Sequence, residues 1–163
     1  MFDNTIRCIV ASSGESLIMW SIMFWQRLAK YLNGKINFSQ HSEMSKVTIY
    51  LIRHAQSAFN ALYDPNKPDP MIFDAPITEL GETQARQARN EVEKLNINNL
   101  IVSPFTRTLQ TAQLIFENRL PFQINAAVRE QLVNSCDVGS PPDKLTKDFP
   151  HLNFNHLDEC WWH

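Results

Sequence analysis

The stretch VTIYLIRHAQSAFN, Val47 to Asn60, decides how the rest of the chain is read. Its first six residues, Val47 to Ile52, are rich in β-branched and aromatic side chains. They run continuously rather than alternating, the pattern of a strand covered on both faces. Arg53 and His54 follow at once. A charged residue at the end of a buried run is rarely left without a partner or a task, so the question is what the remaining chain supplies to match this pair.

Downstream, a short helix is expected through Ala61. It is followed by YDPNKPDPMIFDAP, Tyr63 to Pro76, too rich in proline for regular structure and long enough to be a functional or a mobile loop. Thr78 is placed to cap a helix in which Ala85, Ala88, Val92 and Leu95 share one face. Leu100 to Val102 reads as a second short buried strand. Ser103 and Pro104 then combine a capping hydroxyl with proline at the first helical position. Phe105, Leu109, Ala112 and Phe116 form the buried stripe of that helix, and Phe122 to Val128 reads as a third strand. The alternation of strands and helices predicts an α/β fold around a parallel sheet with right-handed crossovers. In such sheets ligands bind outside the carboxyl ends of the strands. Arg53 and His54, Ser103 and Arg107, and Arg129 and Glu130 therefore converge on one edge.

Upstream, residues 1–43 do not share this regularity. Leu17 to Trp25 is apolar all round, yet a bilayer span takes roughly 20 apolar residues, so no membrane span is expected. Asp3 and Glu15 dilute the basic start of a signal peptide. Gln26 to Leu32 is amphipathic and admits an interfacial or partner-binding helix; a helix packed on the domain, or an extension outside any fold, is the plainer expectation. The expected division is an N-terminal extension, 1–43, and a domain, 44–163, that starts naturally at Met44 and is no less folded alone.

The chain has 163 residues, 44% of them hydrophobic, enough for the core of one domain. With 15 basic against 17 acidic residues the net charge is -2, so no field for nucleic acid exists at the level of the whole chain and an anion must be caught by a local cluster. Cys8, Cys136 and Cys160 are odd in number and widely spaced, which argues against a disulfide framework and suits a reducing, cytoplasmic setting.

The converging residues limit the chemistry. Two or three arginines and the free N–H groups at a helix start suit a dianionic phosphate group. A neutral histidine among them is a nucleophile that can take the phosphoryl group on a ring nitrogen, and a nearby carboxyl group can protonate the leaving oxygen. No metal or other cofactor is required. A small phosphorylated substrate is the partner this chemistry calls for.

These residues carry a family resemblance. LIRHAQSAFN resembles the RHG signature of the histidine phosphatase superfamily, the phosphoglycerate mutase-like proteins, with Ala55 where glycine is usual. Asp74 to Ala85 and Ser103 to Ala112 are similar to two further family segments, the second carrying a core arginine; CDVGSPPDKL, from Cys136, and the ending HLDECWW are similar to a phosphoglycerate mutase-like branch. The resemblance covers Met44 to the end and leaves residues 1–43 outside. It implies a three-layer α/β/α sandwich of phosphoglycerate mutase-like type, incomplete at the C-terminus. It also implies His54 as the nucleophile forming phosphohistidine, Glu130 as proton donor, Arg53 and Arg107 as phosphate binders, and Ser57 and Asn60 as positions near the phosphate. The family's second core histidine is expected beyond residue 163, so the activity of this chain is expected to be weak, with marginal stability and some self-association.

Duller readings stand beside these. Glu130 alone reads as a solvated loop carboxylate, with Glu79 and Glu82 as competitors for its role. Arg86, Arg89 and Arg119 read as exposed helix or loop charges, and Trp161 and Trp162 as apolar cover for a following segment. Cys136, His151, His156, Cys160 and His163 fit no standard zinc spacing. Two function classes result: a phosphomonoester hydrolase or phosphoryl transferase, including phosphoglycerate mutase, or a non-catalytic remnant that binds phosphate or a partner.

Overall fold

The sheet is organised around a strand that the sequence pattern does not announce. The computed structural model describes residues 6–11, 48–117 and 119–163, and of 6–11 the backbone pairing alone. Strand β1, Ile6–Ala11, lies between β2, Thr48–Arg53, and β3, Asn99–Val102, while β4, Phe122–Ile124, adds the far edge. The order is β2-β1-β3-β4 and every pairing is parallel. The register sets Ile9 beside Leu51 on one side and Ile101 on the other, and Ala11 beside Arg53. The α/β parallel sheet is thus as expected, but the expectation that residues 1–43 stand outside the fold does not hold for Ile6–Ala11. The physical reason is the backbone: among the described strands β2 pairs only with β1, and strand N–H and C=O groups withdrawn from water require partners. The expectations for Leu17 to Leu32 fall outside the described residues.

The two outer readings separate at the strands themselves. Leu100, Ile101 and Val102 of β3 are buried, as befits a strand covered on both faces, whereas β2 is an outer strand with Leu51 48% exposed. Tyr50 and Ile52 of β2 pack against the core while Leu51 faces outward, so one face of this strand is covered.

Helices α1, Ala58–Leu62, α2, Glu79–Val92, α3, Thr106–Phe116, and α4, Pro142–Asp148, connect and flank the strands. Thr78 caps α2, its hydroxyl accepting from the Gly81 N–H at 3.1 Å. Gly81 is required there because a Cβ would strike the Gln56 carbonyl oxygen. Ala85 and Val92 are buried, with Ala88 packed partly against the same core. The expected stripe of α3 is fully formed, since Phe105, Leu109, Ala112 and Phe116 are all buried. Arg89 joins the two helices: Nε and Nη2 donate to the Leu114 carbonyl at 2.9 and 2.6 Å, and Nη1 pairs with Glu117 at 2.7 Å. It is a half-buried clamp rather than a surface charge. Arg86, exposed and paired with Glu82, fits the plainer reading.

Three local expectations are corrected. The third strand stops at Ile124, because the Asn125 side chain accepts from the Ala127 N–H at 2.9 Å and turns the chain into a single 3₁₀ turn, Ala126–Val128. Helix α3 starts at Thr106, after Ser103 and Pro104, with Phe105 at the cap position and no capping bond from its own side chain. Trp161 is 4% exposed and packs inward, its ring edge-on to Phe105 at 4.9 Å and its indole N–H donating to the Ser140 carbonyl at 2.9 Å.

Because among the described strands β1 alone connects β2 to β3, loss of residues 1–43 is expected to unfold the sheet. Ile9→Pro removes a backbone donor in a central strand and crowds its neighbours, a loss of about 1 to 3 kcal/mol for each partner left unsatisfied. Thermal melts should show a sharply lowered midpoint for Ile9→Pro and no cooperative transition for residues 44–163. A normal melt of the shortened chain would overturn this reading of β1.

Candidate active site at the carboxyl edge of the sheet

The site grows from the ends of β2 and β3, whose parallel alignment through β1 carries Arg53–His54 and Ser103 to the same edge. His54 leaves β2 and is buried. Its Nδ1 lies 2.7 Å from the carbonyl oxygen of Ala55, and a carbonyl only accepts, so Nδ1 carries the proton and the Nε2 lone pair stays unprotonated. Burial, helped by the positive charges of Arg107 and Arg53, lowers the His54 pKa to about 3. The ring is therefore neutral throughout the physiological range. Ala55 is itself fixed, its N–H donating to the Thr111 hydroxyl at 3.1 Å, so alanine is accommodated at the position where glycine is usual.

Arg107 sits in the first turn of α3, and a carboxylate remote in sequence holds that turn in place. Asp74 accepts from the Thr106 N–H at 2.9 Å and from the Thr106 hydroxyl at 2.7 Å, which satisfies an orphan donor and sets a negative charge at the helix start. The Asp74 N–H in turn donates to the Val138 carbonyl at 3.0 Å. The proline-rich loop is thus tied at its middle and near its end, since Asp69 also accepts from the Ser135 N–H at 2.8 Å and from its hydroxyl. Ser103, read from sequence as the cap, has a buried hydroxyl without a hydrogen-bond partner among the described residues.

The Arg107 guanidinium is almost wholly buried. Nη1 donates to the Cys136 carbonyl at 2.6 Å, Nη2 to Asp137 Oδ1 at 3.1 Å, and the group lies 4.1 Å from the centre of the Phe105 ring. Burial pushes the neighbouring Cys136 thiol up to about 12, so it is an inert apolar group rather than a nucleophile.

Glu130 follows the 3₁₀ turn and is buried. Oε1 accepts from the Gln131 N–H at 3.0 Å, while Oε2 has no hydrogen-bond partner among the described residues. Burial raises its pKa, and the charge of Asp137 acts in the same direction against those of Arg107 and Arg53. Its competitors Glu79 and Glu82 are exposed on α2. Arg53 and Arg107 bear electrostatically on both His54 and Glu130.

Ser57 and Asn60 hold α1 together. The Ser57 hydroxyl accepts from the Asn60 N–H at 3.2 Å and donates to Asn60 Oδ1 at 3.0 Å, and Oδ1 also accepts from the Ser57 N–H at 3.1 Å. Arg129 turns back to the Ala126 carbonyl at 3.1 Å. His151 contacts Gln113 and His156 the Ile124 carbonyl, and no group of His, Cys, Asp or Glu suited to a metal ion exists among the described residues. Nor is any described helix long and apolar enough to cross a membrane. Sequence reasoning missed Asp74, Thr111 and Asp137; their roles arise from contacts across about 30 to 56 residues, for which no local pattern exists.

The family profile described as Histidine phosphatase superfamily (branch 1) matches residues 49–161. The chain belongs to this superfamily. The fold is accordingly of the α/β, phosphoglycerate mutase-like kind. A Schizosaccharomyces pombe protein named "Probable phosphatase" is 29% identical over 69% of this chain and 54% of its own length. An Enterobacter protein named "Probable phosphoglycerate mutase" is 37% identical over 68% of this chain and 42% of its own. The Arabidopsis thaliana "Phosphoglycerate mutase-like protein 1" is 40% identical over 42% and 27% respectively. The chain thus spans about half, or less, of the length of these relatives.

The depressed His54 pKa fixes the sign of a stability effect. Below about 6.5 an unfolded chain protonates this histidine and the folded one does not, so stability falls as pH drops from about 6.5 towards about 3. Urea unfolding at pH 7.5 and 5.0 should show His54→Gln losing about 2 kcal/mol less than wild type between the two. Equal losses would mean that the ring is not held neutral. Asp74→Ala should cost about 1 to 2 kcal/mol through the lost cap of α3, read from the same curves.

Proposed function

We propose that this chain transfers the phosphoryl group of a small phosphomonoester through a phosphohistidine on His54. The observation that supports this reading is the Nδ1 bond to the Ala55 carbonyl, which presents Nε2 as a neutral nucleophile beside two arginines. Arg53 and Arg107 bind the phosphate oxygens, and Asn60, whose carbonyl oxygen is committed to Ser57, offers phosphate only its amide NH2. Ser57 acts beside it by shaping the turn.

In the first step Nε2 attacks phosphorus, the P–O bond to the leaving group breaks, and Glu130 gives its proton to the departing oxygen. Burial raises the pKa of this carboxyl group and so favours the protonated form that the step uses. In the second step the Glu130 carboxylate takes a proton from water as its oxygen attacks phosphorus; the Nε2–P bond breaks and inorganic phosphate leaves. An acceptor hydroxyl in place of water gives the mutase outcome.

Exposure to a labelled phosphodonor should leave acid-labile, base-stable label on wild-type protein and none on His54→Ala. Label on the alanine variant would end the assignment, and phosphate binding without label or turnover would support a binding role instead. Glu130→Gln should slow release of an alkyl phosphate by about 100-fold or more. It should affect an aryl phosphate far less, because a good leaving group needs little protonation. Equal losses on both would remove Glu130 from the proton-donor role.

A further inference from the structure

We propose that Asp137 is a positioning residue that sets the phosphate-binding arginine and the proton-donor loop together; this rests on the reading of the site just given. One oxygen of its carboxylate, Oδ1, accepts from Arg107 Nη2 at 3.1 Å. The other, Oδ2, accepts from the N–H groups of Asn134 at 3.0 Å and Val133 at 3.3 Å. The segment donating those bonds begins three residues after Glu130, and Glu130 Oε1 itself accepts from the Gln131 N–H. A single carboxylate therefore spans the gap between the α3 guanidinium and the loop bearing the acid. The Cys136 carbonyl, one residue away, takes Nη1 of the same guanidinium, so the fork is gripped by two adjacent residues of one turn.

Burial makes this arrangement consequential. Arg107 and Asp137 have side chains only 2% and 4% exposed, and a buried pair in which one partner is removed leaves an uncompensated charge. Asp137 thus decides the direction in which Arg107 presents its donors to an incoming phosphate. It also acts on Glu130 through space. The charged groups bearing on Glu130 are Asp137 on its own loop, Arg107 on α3 and Arg53 at the end of β2, and Asp137 is the negative one among them. Its charge favours the protonated form of Glu130, the form that the first chemical step uses.

The two effects give separate readouts. Asp137→Asn keeps the size of the side chain but sets an amide NH2 against either the guanidinium or the loop N–H groups. The Michaelis constant for an aryl phosphate should rise about tenfold or more as Arg107 loses its orientation. The alkaline limb of kcat/KM for an alkyl phosphate should move to lower pH, because loss of a negative neighbour lets Glu130 ionise more readily. Asp137→Glu, which keeps the charge but shifts its reach, should raise the Michaelis constant while leaving the limb near its wild-type place. A role confined to holding the loop would leave the limb unmoved in both variants. That result, an unchanged Michaelis constant in Asp137→Asn, or failure of both variants to fold would overturn the proposal. If wild type takes no label at His54, the reading of the site fails instead, and the labelling control separates the two outcomes.

Discussion

The burial of the Arg107 guanidinium is the constraint around which the site is arranged. A delocalised cation withdrawn from water needs acceptors on every side that water would have served, and the chain provides them from remote places. Cys136 and Asp137 supply a carbonyl and a carboxylate, and Phe105 supplies a ring face. Asp74, far back in the proline-rich loop, holds the helix turn from which Arg107 projects. Each of these contacts fixes a loop that would otherwise be free to choose its own course. Trp161 presses on the Phe105 ring from further along the chain, so even the C-terminal segment is recruited to the same group.

The chemistry of His54 follows from the same enclosure. Burial removes water from the ring, and the two arginines make a further positive charge nearby unfavourable. The result is a histidine kept neutral first by burial and then by the neighbouring cations. Glu130 experiences the opposite bias, because burial and Asp137 disfavour its ionised form. The same surroundings thus favour a neutral histidine and the protonated form of a carboxyl group.

What could be read in the sequence was whatever acts locally. The stripe of α3, the cap at Thr78 and the pair Arg53–His54 after a strand each arise within a few residues, and the structure forms all of them. The reading failed where partners lie far apart. Ser103 looked like a cap because its spacing was right, yet Asp74 reaches Thr106 from another loop. Asn125 ended the third strand with one side-chain bond that hydrophobic pattern does not register. Ile6–Ala11 carries an ordinary β-rich composition, but the irregular text between it and Thr48 concealed that it belongs to the same sheet.

The position of that strand has a consequence for how the molecule is made. Arg7 comes to lie beside Ile49 and Asn99, the second of these roughly ninety residues later in the chain, and loops of such length close slowly. During synthesis from the N-terminus the innermost strand emerges first, yet both of its neighbours are still untranslated. Its pairing must wait until β2 and then β3 have been made. Of the described strands, the first to be made is thereby among the last to be enclosed on both edges.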